Sequence, residues 1–420
     1  MSKLTTYKFS ELYDMSSGIS SKPEQAGHGF PFASFSTVFN NQFLPETLPD
    51  LMDTSEKERK IYSINKGDIF LTRTSETLDE LGMSCVSIKN IPNATYSGFL
   101  KRLRPKQTDI SYHKFMAFYL RSKLFRKTMS NNAIMTLRAS LNEQIFSYLD
   151  LLLPEYKEQK NIGDYLYLLN QKIELNNKIN TELEAMAKLI YDYWFVQFDF
   201  PDANGKPYKS SGGKMVYNDA LKREIPEGWK SGSVDEECSV RNGYAFKSES
   251  YTDDGYTIVR TKNFKSGSVE YGDMVYISTE DAKSFDRYHL SKFDFLLVMV
   301  GASVGKNVIV NSNILPALQN QNMWCFRSRF SVQHFTNQLL KIIVVEQLST
   351  SSGSAREFFK KESFREAKFA NPDIALKKFY VDKVAPIYDR IDIIKNENQK
   401  LIELRDWLLP MLMNGQVTVK

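Results

Sequence analysis

Residues Ile162 to Trp194 read IGDYLYLLNQKIELNNKINTELEAMAKLIYDYW, and one face of this stretch advances in alternating steps of four and three residues. The positions on that face are Ile162, Leu166, Leu169, Ile173, Asn176, Asn180, Leu183, Ala187, Ile190 and Trp194. Such spacing is the seam of a long helix that must be buried against another helix. A partner of equal length lies in the same chain. Adding 218 to each position gives Tyr380, Val384, Ile387, Ile391, Ile394, Asn398, Leu401, Arg405, Leu408 and Leu412, nine of the ten apolar or Asn with no gap. Pro154 and Pro372, which open the two segments, keep the same offset. Leu169, Ile173, Asn180 and Leu183 are therefore expected to pair with a helix carrying Ile391, Ile394, Asn398 and Leu401. The equivalent Asn180 and Asn398 would fix its register at some cost in stability. The pattern implies two globular domains held apart by a two-helix strut, a design suited to two separated sites on one linear ligand.

The rest of the chain falls into two matched halves. Residues 1–150 read as a mixed α/β domain, with strand-like runs at Asp68–Thr72 and Ser84–Ile88 and a helical stretch from His113 to Met129. Residues 151–198 hold the first long helix, opening with Pro154 at its first turn and running to about Tyr193, roughly 40 residues or about 60 Å. Residues 199–228 break all periodicity with Pro201, Gly205, Pro207, Gly212 and Gly213 and read as an exposed connector. A second α/β domain covers 229–370, and 371–420 hold the second long helix (about Asp373 to Met413) and a tail. Pro386 lies inside that helix and should kink it or mark its true start. Lys66–Leu71 (KGDIFL) matches Lys292–Leu297 (KFDFLL) at an offset of 226, so an insertion or deletion of about eight residues separates these strands from the helices. The fold class is α+β: two mixed α/β domains separated by a two-helix coiled coil, a pseudo-two-fold tandem duplication. The long return path through residues 199–371 favours an antiparallel pair over a parallel one.

The 420 residues suffice for two or three domains with real cores. Hydrophobic content of 42% and charged content of 25% are ordinary for a globular protein, and a net charge of +5 permits a nucleic-acid partner without demanding one. Three widely spaced cysteines, Cys85, Cys238 and Cys325, offer neither a disulfide framework nor a CxxC knuckle, which points to a reducing compartment. The N-terminal MSKLTTYKFSELYD has no apolar core for a signal peptide, and the most apolar run, Phe293–Val300, is too short to span a membrane. A cytoplasmic chain with no membrane partner is expected.

Several strings make a family resemblance specific. They are LPEYKEQKNIGDYL (Leu153–Leu166), NQKIELNNKINTELEAMAKLIYDYWFVQFDFP (Asn170–Pro201), GKPYKSSGG (Gly205–Gly213), IPEGWK (Ile225–Lys230) and ENQKLIELRDWLLPMLMNGQV (Glu397–Val417). Together they resemble the specificity subunit of type I restriction–modification systems, strongly in the helices and connector and weakly inside the two globular domains. The second half has NPDIALKKF (Asn371–Phe379) where the first has LPEYKEQKNI, so it lacks an equivalent of Gln159. The resemblance implies two target-recognition domains, each reading half of an interrupted double-stranded DNA sequence. It also implies helices that set the distance between the halves and dock methyltransferase subunits, two of them. Motor/nuclease subunits would join them. S-adenosylmethionine, ATP and Mg would be used on those partners, with no cofactor or metal and no catalytic residue in this chain.

Motifs for resident chemistry are weak. Pro49-Asp50 with Glu58-Arg59-Lys60 matches the loose PD…ExK pattern of metal-dependent nucleases, which need their carboxylates on adjacent strands; an autonomous nuclease is the enzymatic alternative. Gly301–Lys306 imitates a phosphate loop but is one residue short, with Asn307 in place of Ser/Thr, and reads as a tight turn after a strand. Asn371-Pro372-Asp373 reads as a helix cap. A coiled-coil scaffold that binds no nucleic acid is the third possibility, distinguishable by a salt-dependent binding titration.

DNA recognition needs cations for phosphates and forked or amide side chains for base edges. In the first domain the candidates are Lys66, Arg73 at a strand end, and Lys101, Arg102, Arg104 and Lys106, whose alternation suggests a strand with one basic face. Arg121, Lys123, Arg126 and Lys127 form a further basic group. In the second domain they are Arg260, Lys262, Lys306, Arg327, Arg329 and the amides Gln319, Asn320, Gln321 and Asn322, which suit adenine.

Overall fold

The computed structural model describes residues 3–75, 80–132, 134–135, 139–140, 147, 149–265, 267–350 and 359–419. Two compact units divide it, Met1–Glu174 with Lys400–Lys420, and Leu175–Gln399.

In the first unit the strand Thr5–Lys8 pairs antiparallel with Asp150–Leu153, so the strand opening the domain is tied to the one that leads into the first long helix. A four-stranded antiparallel sheet runs in the order Tyr13–Ser17, Leu100–Pro105, Ile69–Thr72, Ser84–Val86. Its strand Ile69–Thr72 is buried on both faces, which explains why IFLT reads as a continuous apolar run instead of an alternating one. A three-stranded sheet follows the order Asp50–Met52, Ala26–Ala33, Thr95–Tyr96, its last pair parallel. The expected helical stretch is two helices, His113–Tyr119 and Lys123–Asn132.

The second unit repeats these three sheets strand for strand. Lys230–Ser233 pairs with Lys368–Asn371; a four-stranded sheet runs Cys238–Asn242, Met323–Ser328, Phe295–Val298, Asn307–Ile309; and a three-stranded one runs Val275–Ile277, Tyr256–Val259, Ala317–Gln319, again with a parallel final pair. The eight-residue discrepancy has two sources. Thr72 and Val298 are 226 apart, but Gly82 and Gly305, which make the same return bonds to them, are 223 apart, so the hairpin loop is three residues shorter in the second copy. The other five residues are lost where one helix, Gln333–Thr350, and Lys361–Glu366 replace the paired helices of the first copy.

The long helices are Tyr156–Tyr191, continued by a π turn over Asp192–Val196, and Ile374–Met413. None of the twenty seam positions is exposed; Leu169 is 9% and Ile394 1% accessible. In the first unit Leu166 and Leu169 share a core with Leu412 and Met413, and Arg405, the one charged seam residue, donates to Asn170 Oδ1 at 3.0 Å. In the second unit Asn176 meets Asn398, and Ala187 and Tyr191 pack with Tyr380 and Val384. Within each unit rising numbers on one helix meet falling numbers on the other, so the pair is antiparallel.

Three expectations are corrected. The first helix begins at Tyr156, and Pro154 precedes it, its carbonyl accepting from Gln159 Nε2 at 2.8 Å. Pro386 is not the start of the second helix, which begins twelve residues earlier with Asp373 as its cap (Leu376 N–H to Asp373 Oδ1, 2.8 Å). The register is held by Asn176 rather than Asn180: Asn176 Nδ2 donates to Asn398 Oδ1 at 2.8 Å, and Asn398 Nδ2 donates to Asn177 at 2.9 Å. The two-fold counterpart of Asn176–Asn398 would be Ile394–Asn180, which cannot form a hydrogen bond, and Asn180 Oδ1 is left buried without a partner.

His334 titrates with the fold. Its ring stacks on Tyr388 at 4.2 Å and burial pulls its pKa down to about 4. The folded value lies below the unfolded one of about 6.5, so the stabilisation is complete above that pH and is lost as pH falls toward 4, by up to roughly 3 kcal/mol. His334→Phe should flatten the fall in urea stability of this unit between pH 6.5 and 4.5; an unchanged slope would place the acid sensitivity elsewhere.

Candidate nucleic-acid interface

Both domains build their sheets on the same buried carboxylate. Asp68 follows Gly67 (φ +90°) and Asp294 follows Phe293 (φ +70°), a left-handed turn into the central strand. Each carboxylate accepts a turn N–H, from Asn65 at 2.7 Å and Ser291 at 2.8 Å, and each binds an arginine from the neighbouring strand, Arg104 Nε at 2.8 Å and Arg327 Nε at 2.8 Å. These arginines are internal cross-braces.

Most of the remaining candidates are similarly engaged. Lys101 Nζ donates to Ser17 Oγ at 2.8 Å, Arg102 is buried on the Ser63 carbonyl at 2.8 Å, and Lys106 reaches the Ser10 carbonyl at 2.9 Å. The residues Leu100–Pro105 do form a strand, but its cations turn onto the protein. Arg121 and Arg126 donate to the Asn41 and Leu81 carbonyls at 2.7 and 2.6 Å. In the second domain Arg329 Nε donates to the Asp235 carbonyl at 3.0 Å, and Arg260 and Lys262 both engage Asp273, whose carboxyl Lys262 holds below the usual range. Gln319 is buried, its Nε2 donating to the Met323 carbonyl at 2.9 Å.

Lys66, Arg73, Lys306 and Gln321 are exposed, and none of their side chains bonds a described residue. Lys66 sits at the start of the strand Ile69–Thr72 and Arg73 past its end, so they lie at opposite ends of the sheet. Arg73, Lys306, Asn320 and Gln321 occupy equivalent ends of the two sheets. There four segments converge in each domain. Ile19 N–H donates to the Tyr96 carbonyl, Gly98 N–H to Ile19, Arg73 N–H to Phe99 and Ser97 N–H to Ala33, at 2.9, 2.7, 2.9 and 3.0 Å. In the second domain Tyr244 donates to Gln319, Gln321 to Tyr244, Met299 to Asn322 and Asn320 to Val259, at 3.1, 2.8, 3.2 and 3.2 Å. Glycine is required beside each turn: a Cβ on Gly18 would lie 2.3 Å from the Ser97 carbonyl oxygen, and one on Gly243 1.8 Å from that of Asn320. Phe99, 66% accessible, was missed by sequence reasoning. The pairing of Gly18 with Gly243, 225 residues apart, is the signal that leads to it.

The long helices carry a second, outward stripe. Leu175, Ile179, Met186, Leu189, Tyr193 and Val196 are exposed at heptad spacing, with Glu182 the one interruption from Leu175 onward. At an offset of 218, Ile393, Leu404 and Trp407 are exposed on the second helix.

The nuclease-like residues are not assembled as that chemistry needs. Asp50 lies on a strand and accepts from Thr37, whereas Glu58 lies on a helix and caps it, accepting from Ser55 N–H at 2.8 Å. Residues 301–306 form a hairpin turn leading into the strand Asn307–Ile309 rather than a helix. Among the described residues no three His, Cys, Asp or Glu side chains are grouped to hold a metal ion, and no helix is long and apolar enough to cross a membrane.

The sequence matches the type I restriction modification DNA specificity domain twice, over residues 2–185 and 226–403, and the chain belongs to that family. It is 23% identical over 382 residues to the type I restriction enzyme MjaIX specificity subunit of Methanocaldococcus jannaschii, covering 88% of this chain and 82% of that one. It is 24% identical to the HindI specificity subunit of Haemophilus influenzae, covering 99% of this chain and 100% of that one. The fold is that of the S subunit of the type I restriction–modification system from M. genitalium, with a TM-score of 0.60 at 14% identity over 98% of this chain and 96% of that one.

Proposed function

We propose that this chain is the sequence-reading, non-catalytic subunit of a type I restriction–modification complex that acts on double-stranded DNA in the cytoplasm. Residues 1–150 and 229–370 are its target-recognition domains, each reading one half of an interrupted site. Residues 151–198 and 371–420 set the spacer, and 199–228 join the halves. Methylation and cleavage belong to methyltransferase and motor/nuclease subunits, which use S-adenosylmethionine, ATP and Mg. The observation that carries this reading is the duplication itself: one framework built twice on one helix pair, with different exposed side chains at equivalent places. The complex with its methyltransferase should protect a two-part site whose halves lie about one helical turn apart. Protection of a single uninterrupted site would overturn it.

The outward stripes support two docked methyltransferase subunits. An exposed apolar heptad without a partner among the described residues suits a helix from another chain, and its partial repetition at 218 residues, at Ile393, Leu404 and Trp407, provides a second such place. Met186→Glu with Leu189→Glu is expected to halve the methyltransferase retained per chain, and adding Leu404→Glu and Trp407→Glu to abolish it. Because these side chains are exposed, thermal unfolding should move little. Undiminished capture by the quadruple variant would refute docking here.

A further inference from the structure

We infer that the two halves of the target are distinguished at one pair of equivalent turns, Ser97–Phe99 with Arg73 in the first domain and Asn320–Asn322 with Lys306 in the second; this rests on the bipartite reading above. Four equivalent backbone hydrogen bonds anchor the two turns at matching places, and a glycine packs against each; within that anchoring Asn322 is left-handed (φ +67°) and Phe99 is not. The framework beneath retains its chemistry: Asp68 and Asp294, Arg104 and Arg327, and Gly82 and Gly305 are matched in identity and contacts. At the turns identity is lost while the anchoring is kept. Gly98 is replaced by Gln321, Phe99 by Asn322, Arg73 by Met299 and Met83 by Lys306. A pair of reading heads that approach DNA in one way and discriminate different bases requires this combination.

The chemistry differs in kind. The first turn offers a guanidinium fork and an exposed aromatic ring, suited to guanine O6/N7 and to a thymine methyl or an opened base step. The second offers the exposed amides of Gln321 and Asn322 and an ammonium, suited to adenine N6/N7 beside a phosphate. The buried Gln319 and Tyr96 stand at the roots of the two turns, Gln319 donating to the Arg241 carbonyl at 3.2 Å and Tyr96 to that of Ser17 at 3.2 Å, and so brace the turns without facing outward.

The test is the methylation pattern written by the complete complex with its methyltransferase subunits, compared among variants whose melting matches the parent chain. Arg73→Gln, Arg73→Lys and Phe99→Ala should each relax one half of the motif by roughly tenfold to a hundredfold at one or two base pairs and leave the other half intact. Arg73→Lys keeps the charge but loses the fork, so its effect separates base reading from phosphate contact. Gln321→Ala and Asn322→Ala should act only on the other half. Unchanged motifs, or a uniform loss at all sequences, would overturn the assignment of the turns. A parent complex that writes no two-part motif would instead overturn the bipartite reading beneath it.

Discussion

Lys377→Met is expected to destabilise the second unit by about 3–5 kcal/mol, the usual result of stranding one member of a buried ion pair. Lys377 opens the second long helix and binds Glu237 from the helix Val234–Glu237, with the two side chains 4% and 1% accessible. Thr336 Oγ1 donates to the same carboxylate at 3.0 Å, and the Phe335 ring lies 4.9 Å from the ammonium. Removing the lysine leaves a carboxylate in an apolar site with one neutral donor. The first copy solves the same position without charge. Leu12 stands where Glu237 does, each accepting the N–H after the neighbouring strand, and Gln159 stands where Lys377 does, donating to the Ile110 and Pro154 carbonyls. The double variant Lys377→Met, Glu237→Leu should therefore regain most of the loss. Trp194, Trp229 and Trp324 lie in the second unit and the fourth tryptophan, Trp407, is already exposed in the first, so urea unfolding followed by fluorescence in a Trp407→Phe background reads the second unit. A loss below 1 kcal/mol for the single variant would mean that water reaches Glu237.

Inserting one heptad into both long helices, after Glu174 and after Gln399, is expected to lengthen the spacer of the target by about three base pairs. Seven helical residues rise about 10.5 Å, against roughly 3.4 Å per base pair. These points are where the two units divide, and each long helix contributes residues to both. Seven residues return the seam to nearly the same face, so the Asn176–Asn398 register and the flanking apolar contacts survive. The bases read should not change, because neither recognition domain is touched. A motif with the original spacer would show that the helices do not measure the target.

The long helices were legible because their burial is periodic and local: every third or fourth residue faces the partner, whatever the rest of the fold does. Pro386 misled because a proline ring removes one backbone hydrogen bond, and here both Pro386 and Asp382, whose carbonyl is freed, are exposed to water. The connector is exposed, but it is also built. Its glycines and prolines read as an exposed, aperiodic connector, and within it Phe200 stacks on Tyr208 at 4.7 Å and on Trp229 at 5.3 Å, and Ser210 N–H donates to the Asp199 carboxylate at 2.7 Å. Met215–Asn218 and Arg223–Pro226 form a hairpin. Contacts this distant leave no periodic trace.

Of the interface, the strand ends and the amide run were visible, but not which cations were free. Arg73 and Arg104 look alike in a sequence; one is exposed, and the other is held by Asp68, 36 residues away. By itself the sequence determined the duplication, the helix seam and the family, since all three are patterns along the chain. Only the tertiary structure decided which charges face outward, because a salt bridge depends on where two distant carboxylate and guanidinium groups meet. It also placed Phe99 and Asn322 at matching turns, which a comparison of side chains could not do once their identities had diverged.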